Sequence, residues 1–291
     1  MLLISCTWGG PVSFGLFFAA VQAVMLKEFY RIMRAAGYKP LALLGIVSGV
    51  LIFAFFWYQF FWIGFFFEKN ASVGAFGNTS FANAAETSYY NPIRGWEFIT
   101  LRVLLTVVVL SFVSLLYELS AWPKSSQPFA NIGAALGGIF YVSIPMALLN
   151  VIAFGANSFE PRRIFFLIFL VWSADTGAYF AGKNFGKHKL APSISPGKTW
   201  EGWAGGAILT LIVAASVGYF LPTIPLGHRL VAGAVVAVFG PLGDLAESML
   251  KRSAGVKDSG TFLPGHGGLL DRFDAFLLVL PVLALLQVLA G

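Results

Sequence analysis

The sequence predicts an all-α fold: a polytopic integral-membrane helical bundle with about 8–9 transmembrane helices. Three observations carry that expectation. The 291-residue chain is 58% hydrophobic, with a mean hydropathy of +0.79 and only 11% charged residues. Its apolar residues collect into long runs, many near the roughly 20 residues a helix needs to cross a bilayer core. Most of its Lys and Arg side chains fall in three of the loops between those runs, as expected where one membrane face retains positive charge. Thirty Phe and eight Trp suit lipid contact and interfacial anchoring. Cys6 is the single cysteine, so an intramolecular disulfide and a Cys-based metal cluster are excluded. The net charge of +6 points to anionic headgroups and phosphate-bearing substrates, with no nucleic acid partner expected.

The runs follow in order. Residues 2–8 are apolar, Gly9-Gly10-Pro11 is a turn, and 12–26 are apolar again. Residues 2–8 are too few to span, so they predict a partial helix or a start lying upstream. A basic leader and a small-residue cleavage site are both missing, so no cleaved signal peptide is expected. Lys27, Arg31, Arg34 and Lys39 form the first basic cluster, before a run over 41–67. Residues 68–95 are a polar loop rich in Asn, Ser, Ala and Gly. The next runs are 99–119, with Arg102 near one end, and 131–154, where Pro145 predicts a kink. Then come 164–181, 203–221, 230–250 and 273–289. Eight spans result, or nine with the N-terminal fragment.

With those spans, the basic loops at 27–39, 183–198 and 251–257 all fall on one side. That side is expected to be the cytoplasm, with the 68–95 loop and the C-terminus opposite. Arg162 and Arg163 fall on the outer side, against the trend. No Gly/Ser linker or repeat divides the chain. Residues 1–160 read as N-terminal transmembrane helices of little chemical character, and 161–291 as the region that carries the chemistry.

The densest polar constellation is residues 248–274, SMLKRSAGVKDSGTFLPGHGGLLDRFD. Lys251 and Arg252 supply fixed positive charge for phosphate oxygens. Gly260, Gly265, Gly267 and Gly268 let backbone amides approach an anion closely. Asp271 and Asp274, at i and i+3, share a face on the first turn of the last helix, and hard oxygen donors of that kind suit Mg²⁺. Upstream, Asp244, Ser248 and Lys251 lie on one helical face. Asp244 stands among apolar residues and needs a partner. A metal would serve, and so would a plain ion pair with Lys251 or Arg252. His266 either bonds phosphate or shapes the loop between Gly265 and Gly267.

Two further stretches stand out. Asp175 lies within an apolar run, where an ionised carboxylate costs about 2.5–3.5 kcal/mol on insertion scales. It is expected to face the bundle interior or a wet cavity, with Tyr179 one turn on. The competing structural reading is a helix–helix polar contact through Ser173 and Thr176. The loop at 182–202 carries Lys183, Lys187, Lys189 and Lys198. The first three read as a solvated basic surface; Lys198, between Pro196 and Glu201, reads equally as functional. Gly197-Lys198-Thr199 is not a Walker A loop, because Pro192 stands at the first glycine position and no strand is expected before it. From these residues alone, a transporter placing Asp175 and Asp244 inside a bundle remains an alternative, although it would not need the Gly-rich charged loop.

The pattern S-x-L-K-R-x4-K-D-x-G-x2-L-P-x-H-G-G-L-x-D-R-F-D over 248–274 resembles the signature of the phosphatidate cytidylyltransferase (CDP-diacylglycerol synthase) family without departure. The segments at 195–202, 173–179 and Glu28-Phe29-Tyr30-Arg31 resemble three further motifs of that family. The shorter N-terminus and the long 68–95 loop depart from it, which affects the helix count and not the chemistry. The resemblance implies a membrane nucleotidyltransferase that joins CTP to phosphatidic acid, releasing pyrophosphate. It implies a multi-pass protein of the bacterial inner membrane, acting at the cytoplasmic face as a homodimer with Mg²⁺ and a monovalent cation such as K⁺. On this reading Asp244 and Asp271 are metal ligands, with Asp274 as an additional ligand. Lys251 and Arg252 hold phosphates, and Lys198 positions nucleotide or lipid phosphate. Ser248, Lys257, His266, Gly267, Gly268 and Asp175 complete the substrate site. A related CTP-using enzyme acting on another lipid, such as a polyprenol kinase, remains the alternative.

Overall fold

The computed structural model describes residues 9–74, 92–154, 159–219, 224–262 and 267–289. Eight α-helices dominate: α1 (Pro11–Ala35), α2 (Ala42–Gly74), α3 (Pro92–Ala121), α4 (Pro128–Phe154), α5 (Pro161–Phe185), α6 (Trp200–Ser216), α7 (Leu226–Ser253) and α8 (Leu270–Leu289). Among the described residues, seven of these are long and apolar enough to cross a membrane. The eighth, α6, has 17 residues and continues as a 3₁₀ turn, Val217–Tyr219. The helix class and the approximate span count therefore agree with the sequence. Four helices begin on proline, whose fixed φ suits the first turn and whose missing N–H is not needed there.

The chain divides into two compact units, one of Met1–Leu26 with Pro40–Glu160, the other of Lys27–Lys39 with Pro161–Gly291. Sequence reading divided it at 160/161 alone; the last turns of α1 join the second unit.

In the first unit, Phe14, Phe18, Phe60, Phe154 and Phe159 form a ring cluster with centroid separations of 4.9–6.4 Å. The Trp57 indole donates to the Pro11 carbonyl at 2.8 Å, meeting an acceptor near the start of α1. On α3, Leu101, Leu104, Leu105, Val108 and Phe112 are all more than half exposed, a surface suited to lipid. The expected irregularity near Pro145 is a π-helical turn, Ile139–Ser143, immediately upstream. A proline ring crowds the carbonyl four residues back, here Tyr141, and the wider turn relieves it. At the end of α3, Ser125 Oγ and Asn131 Nδ2 donate to the buried Glu118 carboxylate at 2.5 and 3.0 Å, tying α3 to α4.

In the second unit, α5 packs on α6 through glycine. A Cβ on Gly177 would come within 2.7 Å of the Gly205 carbonyl oxygen, so only glycine allows this approach. Ser173 Oγ donates to the Leu170 carbonyl at 2.7 Å and lies 3.3 Å from Thr210 Oγ1 on α6. The competing reading of a helix–helix polar contact is met at Ser173, while Asp175 lies on the wall of a cleft. Between α5 and α6 the 182–202 segment contains a small antiparallel hairpin, β1 (Lys189–Ala191) and β2 (Ser195–Thr199), with Lys189 opposite Thr199. Sequence reading expected only loop here.

Both α1 and α7 stop at a glycine in the left-handed region, Gly37 at φ +94° and Gly255 at φ +68°. At α7, Val256 N donates to the Lys251 carbonyl and Gly255 N to that of Arg252, at 3.0 and 3.1 Å. This Schellman closure turns the chain sharply out of the helix just after Lys251 and Arg252.

Candidate active site

The site is built in the second unit from two ion-pair groups. The first begins at Thr199, which caps α6: its Oγ1 accepts from Gly202 N at 3.1 Å. Glu201, in the first turn of α6, accepts from Lys187 N at 3.1 Å and His188 N at 3.2 Å, and lies 2.6 Å from His188 Nδ1. Its own backbone amide, the His188 ring and these neighbouring amides hold its carboxyl at about 2, below the usual 4.5. Cap and latch together hold the hairpin against the start of α6. They leave Lys198 directed at α7, where its Nζ lies 2.6 Å from Asp244 Oδ2.

Asp244 thus pairs with Lys198, not with Lys251 or Arg252. Its side chain is 23% exposed, on the wall of a cleft of about 380 Å³ shared with Asp175, Tyr179, Lys183, Lys198 and Trp203. Apolar side chains such as Ala174, Leu190 and Trp203 line the cleft together with the charged groups, so Asp244 keeps apolar surroundings and has the partner it was expected to need. Asp175 is exposed into the same cleft, as expected of a carboxylate on an apolar helix. Asp175 and Asp274 each lie within electrostatic reach of Asp244 and Lys198.

The second group centres on Lys251, whose Nζ lies 2.5 Å from Glu247 Oε2 and 2.7 Å from Asp271 Oδ1. Glu247 is 1% exposed, and among the described residues its Oε1 has no hydrogen-bond partner. Sequence reading gave it no role; the i, i+4 spacing to Lys251 was the available signal. Asp271 also accepts from Ser259 N at 3.2 Å and Gly268 N at 2.7 Å. Of the four glycines expected to bring an amide to an anion, Gly268 meets one inside the protein, the Asp271 carboxylate. Asp274, though one turn from Asp271, takes a different environment: its Oδ1 accepts from Ala275 N at 2.8 Å.

Ser248 is half-buried on α7, and Arg252 and Lys257 are exposed where the chain leaves that helix. Gly267, at φ +81°, and Gly268 sit against Asp271 and Glu28 respectively. His266 and Gly265 lie outside the described residues. Asp244 and Asp271, expected to meet at one cation, are neutralised by different lysines in this structure. Among the described residues no three His, Cys, Asp or Glu side chains are gathered in a ready-made metal site.

A helical bundle suited to a membrane, with lysines and carboxylates interleaved beside a cleft, is the class of a polytopic membrane enzyme handling charged groups. The chain belongs to the cytidylyltransferase family, which it matches over residues 1–289. It is 53% identical over 178 residues to the phosphatidate cytidylyltransferase of Bacillus subtilis, covering 60% of this chain and 65% of that protein. It is 43% identical over 184 residues to the protein of that name from Staphylococcus saprophyticus, covering 63% and 68%. The corresponding Staphylococcus aureus protein is 41% identical over 202 residues, covering 68% and 74%.

Proposed function

We propose that this protein is a membrane nucleotidyltransferase that converts CTP and phosphatidic acid to CDP-diacylglycerol and pyrophosphate in phospholipid biosynthesis. The observation that carries the reading is a pair of lysines held on carboxylates in a chain of this family: Lys198 on Asp244 at the wall of the cleft, and Lys251 on Glu247 and Asp271. The lipid phosphate attacks the α-phosphorus of CTP and pyrophosphate leaves. The nucleophile is already an anion, so no strong general base is needed. The barrier lies in bringing two anions together and in the charge that builds on the leaving group. Phosphate oxygens compete with Asp244 and Asp271 for the ammonium groups of Lys198 and Lys251, and Arg252 adds an exposed guanidinium at the end of α7.

The donor chemistry fits Mg²⁺. Asp175, Asp244 and Asp274 offer only hard oxygen donors, and Lys198 opposes their charge in the first group. Asp244, with Asp274 and Asp175 near it, would hold the ion, with a monovalent cation such as K⁺ in support; Asp271, engaged here by Lys251 and by the Ser259 and Gly268 amides, would join them only where Lys251 turns to phosphate. Bound there, it would offset the repulsion between the reacting phosphates. The reading includes a homodimer in a bacterial inner membrane; for the cleft it takes a cytoplasmic orientation, which the Lys and Arg distribution supports.

The test is purified protein with radiolabelled CTP, Mg²⁺ and a panel of lipid phosphates. Labelled CDP-diacylglycerol formed from phosphatidic acid, lost with a chelator and restored by Mg²⁺, is expected. Transfer to a different lipid phosphate, or none to phosphatidic acid, would overturn it.

A further inference from the structure

The segment Glu28-Phe29-Tyr30-Arg31 has no part in the chemistry above, yet it touches the loop that carries the chemistry. Glu28 is 6% exposed. Its Oε2 accepts from Leu270 N at 2.8 Å, an amide in the first turn of α8 with no partner inside that helix, and from Ser259 Oγ at 3.3 Å. The carboxylate also lies at the positive end of the α8 dipole. Gly260 and Gly268 lie so close that a Cβ on either would overlap the Glu28 carboxylate. One turn on, Arg31 Nη2 donates to the Asp258 carbonyl at 3.0 Å. Ser259 is therefore held twice: its hydroxyl by Glu28 and its amide by Asp271. Asp271 in turn holds Lys251.

We infer that Glu28, assisted by Arg31, is a positioning residue: it clamps the chain at 258–260 and the start of α8 at Leu270 so that Asp271 and Lys251 stand in their working places. The inference rests on the nucleotidyl-transfer reading for its kinetic consequence. Glu28 touches neither Asp271 nor Lys251 in any contact described above; it acts through Ser259 and Leu270. Its work is done by hydrogen-bond acceptance at a fixed point, which a neutral amide oxygen can also perform. Glu28→Gln and Glu28→Ala therefore separate geometry from charge.

The experiment measures two things on purified full-length protein: hydrogen exchange at the Ser259 and Leu270 amides, and kcat and KM for CTP with phosphatidic acid. Glu28→Ala is expected to speed exchange at both amides and to lower kcat by about tenfold or more, with KM for CTP changed less than about threefold. Glu28→Gln is expected to stay within about threefold of the parent in kcat, because its amide oxygen accepts both bonds. Equal loss in the two variants would overturn the clamp in favour of a role for charge, and parent-like exchange and kcat in Glu28→Ala would overturn it outright. Should Glu28→Ala not accumulate, Ser259→Ala, which removes one contact, must show faster exchange at Leu270 and a smaller fall in kcat; neither change would again overturn the inference. A parent protein that makes no CDP-diacylglycerol would sink the functional reading while the exchange data still judged the clamp.

Discussion

The indole N–H of Trp203 donates to the carbonyl of Ala237 at 2.9 Å, and that carbonyl is free because Pro241, four residues on, has no N–H to offer it. A proline within a membrane helix is tolerated when a neighbour satisfies the freed acceptor. Here the neighbour is α6, and the bond fixes α6 on α7 at Ala237, seven residues before Asp244. A helix defect thereby becomes a registration point for the cleft.

Trp203→Phe keeps the ring and removes the donor, leaving the Ala237 carbonyl without its partner. Thermal unfolding in detergent should show a loss of about 1–3 kcal/mol. Adding Pro241→Ala supplies an N–H within the helix and should recover part of that loss; additive effects of the two changes would contradict the pairing.

Lys251 is held by Glu247 and Asp271, so truncating it leaves two close carboxylates with no ammonium between them. Lys251→Ala should lower kcat/KM by a similar factor for short-chain and long-chain phosphatidic acids, because the phosphate is common to both. A loss that depends strongly on acyl length would show that Lys251 reads the lipid tail region or only holds the fold.

Asp271→Asn preserves shape and removes charge. The variant should fold, retain its helical circular dichroism, and lose turnover by a factor of about 100 or more, since an amide neither holds Lys251 as firmly nor offers an anionic ligand. Near-normal activity at saturating Mg²⁺ would be incompatible with the assignment.

The Glu201 latch sets a pH range for the hairpin. Its carboxyl is held at about 2 against an ordinary 4.5, so the stability it contributes is complete above about 4.5 and is lost as pH falls towards 2. Exchange at the Lys187 and His188 amides should stay slow through pH 5 after correction for intrinsic rates, and rise as pH falls below about 3. Glu201→Gln should weaken the latch at neutral pH.

Single cysteines at Ser193 and Ser80 in a Cys6→Ser background test the orientation. An impermeant reagent outside intact cells should label the Ser80→Cys variant and not the Ser193→Cys variant. Labelling of both from outside would refute the map.

Much of this protein was legible in sequence because its signals are local. A run of apolar residues declares a span by length alone, and α1, α2 and α5 fall where hydropathy put them. The charged stretch at 248–274 stands out by density, and Asp175 by its cost in an apolar helix. Partnership was less legible. Nothing in spacing distinguishes Lys198 from Lys251 as the neighbour of Asp244, since Lys198 lies 46 positions away and reaches Asp244 only through the hairpin.

Residue type and periodicity by themselves determined the helical membrane class and where positive charge collects, although Lys27, Arg31 and Arg34 prove to lie on the last turns of α1 and not in a loop. Tertiary structure decided which charges meet. A helix brings neighbours at three and four residues together automatically, as with Glu247 and Lys251. The grip of Glu28 on Ser259 and Leu270 spans 231 and 242 positions and exists only because α1 reaches the loop in space. A buried carboxylate needs its partners wherever the chain can supply them, and sequence distance does not enter that requirement.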